Sequence, residues 1–125
     1  MSPRSDCRTR KTEKKVMWYN FDNSNSIGKI GSEEGIILSD FENINGARIT
    51  LEKGGRISPY SVTLGIYGLL FHTYFCSSES EAIKFREKSI KRIDEIFKLL
   101  DVNENERNND WEELYNSKLN EICEN

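Results

Sequence analysis

The spacing of apolar residues changes along this chain, and each change marks a predicted element. From Ala47 the sequence alternates: Ala47, Ile49 and Leu51 are apolar, while Arg48, Thr50 and Glu52 are polar. After Gly54-Gly55 the apolar set resumes through Ile57, Tyr60, Val62, Leu64 and Ile66, with a slip near Ser58-Pro59. Two period-two runs around a Gly-Gly pair predict a β-hairpin with a tight turn, because both glycines take φ > 0 at low cost. Pro59 has no amide donor and belongs near a bulge or on an edge. Upstream, Gly35-Ile36-Ile37-Leu38-Ser39 predicts another strand, followed by a polar connection from Asp40 to Asn45. Downstream, Gly65 and Gly68 flank Ile66-Tyr67, which suggests a bend or the close approach of another backbone. Leu69 to Cys76 is apolar at nearly every position and reads as a fourth strand covered on both faces over part of its length. The aromatic cluster Val16 to Phe21 is either a strand or the point where the chain docks onto the body, and Asp22 to Ser26 is a loop.

The period then becomes helical. Ser78 followed by Glu81 is a capping box, which satisfies two amide donors at a helix start. Between Glu79 and Leu100, the residues Ala82, Ile83, Phe85, Ile90, Ile93, Ile96, Phe97 and Leu100 fall within an arc of about 160°, with Arg86 intruding and Ser89 leaving a gap. Asp101 to Asn109 ends that helix. Asp110 is positioned to cap a second one, whose stripe is Trp111, Leu114, Tyr115, Lys118, Leu119 and Ile122. Strands precede helices, so the expected fold class is α+β: an antiparallel β-meander of three or four strands packed by a long helix, plus a C-terminal helix that closes an edge or extends the helical layer. At 125 residues one domain is expected. Residues 1–15 read as a flexible basic tail and 16–125 as a single α+β domain.

Charge divides the chain further. Residues 1–20 hold six basic and two acidic groups, a net of +4, and residues 101–125 hold eight acidic and two basic groups, a net of −6, within a total of −3. A basic head beside Trp18 and Tyr19 faintly resembles a single-strand nucleic-acid platform, but the remaining chain carries −7 and repels phosphate, so nucleic acid is disfavoured as a partner. No run of about 18 uncharged apolar residues is present, and no apolar segment follows the basic head, so neither a membrane span nor a secretory signal is expected. Cys7, Cys76 and Cys123 are odd in number, far apart and outside any CxxC pair. This argues against a disulfide framework or a zinc site and for free thiols in a reducing cytoplasm. With His72 as the only histidine, no metal or other cofactor is expected. Phosphate-loop, dinucleotide, HExxH and GxSxG motifs are absent. A Cys76–His72 pair on one strand would stand about 13 Å apart, too far for proton transfer. The chain therefore reads as a non-enzyme with no catalytic residue.

The candidate chemistry is that of recognition. Arg48, Thr50 and Glu52 share the face opposite Ala47, Ile49 and Leu51, and Ser61, Thr63, Gly65 and Tyr67 face away from Val62, Leu64 and Ile66. If His72 and Tyr74 join the polar side, then Arg48, Tyr67, His72 and Tyr74 form a patch of the kind enriched in interface hot spots. Phe71 and Phe75 compete with them for the core, so the pattern leaves the face of His72 open.

The stretch from Gly35 to Leu100 resembles a known family. The phrases that carry the resemblance are Gly46-Ala47-Arg48-Ile49-Thr50-Leu51-Glu52, Pro59-Tyr60-Ser61-Val62-Thr63, Gly65-Ile66-Tyr67-Gly68 and His72-Thr73, followed by a Ser/Glu-rich helix start. In this order they are similar to the small immunity proteins of bacterial polymorphic toxin systems. The resemblance covers about half of the chain and implies a protein that binds and neutralises a cognate toxin domain. Many toxin domains are basic nucleases, so the acids Asp40, Glu42, Glu112 and Glu113 join the sheet patch as candidate partner-binding residues. The alternative from another class is a stand-alone interaction or regulatory module without a toxin partner. No pattern in the sequence sets an oligomeric state.

Overall fold

Among the described residues, five extended segments pair in chain order to make one antiparallel sheet: β1 (Trp18–Asn20), β2 (Ile36–Asn43), β3 (Ala47–Lys53), β4 (Tyr60–Ile66) and β5 (Leu70–Cys76). The structure is a computed structural model that describes residues 17–124. The expected basic tail, residues 1–15, lies outside the described residues. The sheet is followed by α1 (Glu79–Leu100) and α2 (Asn109–Glu124), so the fold is the α+β meander with a long helix and a C-terminal helix. The aromatic cluster at the start supplies the short strand β1, which pairs Trp18 with Asn43 and Asn20 with Phe41.

Alternation sets which side chains enter the core. Ile49, Leu51, Val62 and Leu64 are fully buried against Ala82, Ile93 and Ile96 of α1. Ser78 caps α1 by accepting the Glu81 amide proton, while Glu81 accepts from the Ser77 amide and hydroxyl, one residue off a strict capping box. Those bonds hold the Glu81 carboxyl below its usual range, with the Ser77 amide the largest cause. Ser89, the gap in the stripe, is buried, and Ile83 at its margin is part-exposed. Arg86 turns to the rim, where it donates to Ser39 Oγ at 3.1 Å and to Glu87 at 2.9 Å. α2 extends the helical layer: Ile122 is buried in the core cluster, and its carbonyl accepts the Tyr74 hydroxyl. The cap of α2 is Asn108, whose Oδ1 accepts the Trp111 amide at 2.9 Å, and not Asp110, which lies inside the first turn. Leu114, placed on the stripe by period, is 46% exposed. No described helix is long and apolar enough to cross a membrane.

Two connections differ from the sequence reading. The Gly54-Gly55 pair has φ of 81° and 116°, as expected, but it opens a loop that runs to Pro59 and closes on a Gly54 amide to Pro59 carbonyl bond instead of forming a two-residue turn. Space explains this: a Cβ on Gly55 would stand 2.7 Å from the Glu33 carbonyl oxygen, so the loop packs against the β1–β2 connector. The stretch from Asp40, read as a polar connection, continues β2 as far as Asn43. Asp40 accepts from Arg48, Thr50 and Ser26, Glu42 from Tyr19 and Tyr67, and Asn43 Oδ1 from the Asn45 amide, and these bonds allow a polar sequence to occupy an interior strand.

Candidate functional site

Register divides the sheet into a helix face and an opposite face. Gly65 pairs with Phe71 and Arg48 with Glu42, so Arg48, Glu42, Gly65 and Phe71 lie opposite α1 together with Asp40, Thr50, Thr63 and Thr73. His72 pairs with Leu64, and Tyr74 with Val62, so both lie on the helix face. The four-residue patch expected from the sequence is therefore split. Arg48 and Tyr67 belong to the open side. His72 and Tyr74 belong to the core side, where Tyr74 stacks on Phe85 at 4.8 Å and His72 meets Tyr74 edge-on at 4.7 Å. Phe71 and Phe75 lose the competition for the core and are 78% and 45% exposed. Tyr74 stacks on Phe85 and also delivers its hydroxyl to the Ile122 carbonyl, a polar end that a phenylalanine lacks.

The connector between β1 and β2 folds over part of the open face and is held there by two buried carboxylates. Asp40 is 1% exposed; it accepts from Arg48 Nε at 2.9 Å and Nη2 at 2.7 Å, Thr50 Oγ1 at 2.9 Å and Ser26 Oγ at 2.9 Å. The paired guanidinium is held above its usual pKa by the Asp40 hydrogen bonds and lies 3.6 Å from the centre of the Phe21 ring. Asp40 thus tethers the connector from within and, being buried, offers no surface to a partner. Glu52 has no exposed area and accepts from the Gly35 amide at 2.9 Å and the Glu33 amide at 3.2 and 3.3 Å. Gly31 lies directly over it, and a Cβ there would come within 2.4 Å of the carboxylate carbon.

Between this connector and the β4–β5 hairpin lies a cavity of about 320 Å³. Ile30 and Gly31 form one wall, Tyr67 and Phe71 the other, with Arg48, Thr50 and Thr63 on the floor. Ile30 is 66% and Tyr67 55% exposed. Gly65 allows this shape, because a Cβ at that position would fall 2.6 Å from the Phe71 ring, which instead rests on the bare backbone. Gly68, at φ 78°, occupies the third position of the turn that presents Tyr67. Beside the cavity, Glu42 accepts hydrogen bonds from Tyr67 at 2.8 Å and Tyr19 at 3.0 Å. Burial, and then the carboxylate, pushes the Tyr67 phenol up to about 12; the Tyr19 phenol is raised chiefly by its bond to Glu42. Both phenols therefore remain protonated donors at neutral pH, and together they fix the Glu42 carboxylate at the surface.

Of the candidate residues, Arg48, Tyr67 and Glu42 meet on the open face, and Asp40 supports them from below. Glu112 and Glu113 are exposed in the first turns of α2, in the helical layer on the other side of the sheet. Tyr19, Ile30 and Phe71 were missed by sequence reasoning. Phe71 had a signal, since it occupies the same parity of β5 as Thr73 and Phe75, but the opposite parity was equally apolar. The Cys76 thiol is buried and pushed up to about 11 by desolvation, which leaves almost no thiolate at neutral pH. Among the described residues, no three His, Cys, Asp or Glu side chains are grouped to hold a metal ion. The cavity offers apolar walls, hydroxyls and a guanidinium already paired, which is the equipment of a docking surface. No family model matches the chain, and no curated protein or solved structure matches it significantly.

Proposed function

We propose that this protein is a cytoplasmic immunity protein that binds and neutralises a cognate bacterial toxin domain through the open face of its sheet, without catalysis of its own. The observation that carries the reading is the exposed cluster of Tyr67, Phe71 and Ile30 around a preformed cavity, next to a carboxylate held by two phenols. Aromatic anchors beside a concave wall are what protein interfaces concentrate their energy on. A fixed Glu42 in a body of net charge −7 over residues 17–125 favours a basic partner. The resemblance of the phrases from Gly46 to Thr73 to immunity proteins points to the same class of partner.

The test is to read the genes beside this one for a toxin domain and to co-express any such domain with this chain. Growth of a toxin-poisoned host is expected to be restored by the wild-type chain, and tagged chain is expected to retain the toxin domain on a column. A toxin that kills equally with and without this protein would leave the stand-alone interaction module as the better reading.

A further inference from the structure

We propose that β5 is a self-association edge, and that two copies of this chain join β5 to β5 to form one ten-stranded antiparallel sheet. Among the described residues, β5 ends the strand order and pairs only with β4. Natural edge strands are protected by charge, proline, bulges or brevity. β5 has seven residues, its register with β4 is unbroken, and it contains no proline and no Asp, Glu, Lys or Arg. The uncharged stretch extends from Ile57 to Ser78, across the whole β4–β5 hairpin, in a chain that is otherwise 31% charged. Among the described residues the opposite edge, β1, is three residues long, so a β1-to-β5 contact along it that could propagate into a fibre would be short.

The occupant of the edge follows from its chemistry. A basic partner gains nothing from an uncharged strand, whereas a second β5 matches it residue for residue. With the two-fold axis at Thr73, Thr73 faces its own copy. On the open face, Phe71 falls opposite Phe75 of the second copy, and Phe75 opposite Phe71. On the helix face, His72 falls opposite Tyr74 of the second copy. Aromatic pairs directly opposite each other are among the favourable cross-strand pairs, and the two-fold uses each of them twice. The exposure of Phe75 thereby has an explanation that toxin binding does not supply, since Phe75 does not line the cavity.

Sedimentation equilibrium of the full chain is expected to give a mass rising with concentration from 14.5 kDa towards twice that value. Phe75→Lys is expected to weaken the dimer about fivefold or more, leaving the circular dichroism spectrum unchanged. Register is read by Thr73→Cys in a Cys7→Ser, Cys123→Ser background. Opposed residues of antiparallel strands have Cα atoms about 4.5–5.5 Å apart, within disulfide reach, so oxidation is expected to cross-link this variant and to fail once Phe75→Lys is added. A single 14.5 kDa species at every concentration would overturn the proposal. So would a dimer insensitive to Phe75→Lys, or a dimer that Thr73→Cys does not cross-link. Toxin binding is read separately, because Phe75→Lys leaves the cavity walls in place.

Discussion

A carboxylate with no exposed surface is tolerated in a sheet only when its lone pairs are met. Asp40 satisfies this with four donors from Arg48, Thr50 and Ser26. Removing its charge leaves Arg48 half-buried and unpaired, so Asp40→Asn is expected to cost about 3 kcal/mol in urea denaturation, at the lower end for a broken buried pair because the guanidinium retains some solvent. Asp94 presents the opposite case. Its carboxyl is raised above 3.8 by desolvation, against the smaller effect of the Trp18 indole that donates to it at 2.9 Å. An acid whose folded pKa is raised opposes folding once ionised, and that opposition is absent below the unfolded value. Asp94→Asn keeps an acceptor for Trp18. It is therefore expected to melt above the wild type at pH 7, with the difference vanishing as pH falls through the Asp94 titration to below 3.8. The wild-type and variant melting curves against pH check the sign. Neither residue announced its role in the sequence, where both were charges within polar or amphipathic stretches, because burial of a charge depends on donors brought from elsewhere in the chain.

At the scale of elements, strands and helices were legible wherever one face differed clearly from the other. β3 and β4 alternate cleanly, and the register places Ile49 against Leu64 and Leu51 against Val62, as the alternation requires. α1 begins and ends where its cap and stripe put it, from Glu79 to Leu100. β5 was ambiguous in facing because Leu70, His72, Tyr74 and Cys76 compete with Phe71 and Phe75 on nearly equal terms. The connector from Phe21 to Gly35 has no period at all, and its placement over the sheet comes from tertiary bonds to Asp40 and Glu52. Glu52→Gln tests this: it keeps the shape of the side chain but weakens the charge-assisted bonds to the Glu33 and Gly35 amides. Hydrogen exchange at those two amides is expected to quicken about tenfold or more, with the amides of α1 changed less. Equal acceleration everywhere would mean that Glu52 supports the whole fold and not the connector.

For the whole molecule, one sheet face is committed to the helical core, and the other is left partly open with a shaped, aromatic-rimmed cavity. The sequence located Arg48 and Tyr67 there, named Glu42 only as an acid of a polar connection, and left out Phe71, Ile30 and Tyr19, whose positions depend on the facing of β5 and on the paths of the connector and β1. The proposed activity places toxin contact on this face and assigns Glu112 and Glu113, on the opposite layer, no share in it. Calorimetric titration of a toxin domain encoded beside this gene, once found there, into the wild type, Tyr67→Ala and a Glu112→Lys, Glu113→Lys variant measures this directly. The account predicts saturable binding to the wild type, an affinity loss of about thirtyfold or more for Tyr67→Ala, and a loss of less than about threefold for the double variant. Unchanged affinity in Tyr67→Ala together with loss in the double variant would contradict it.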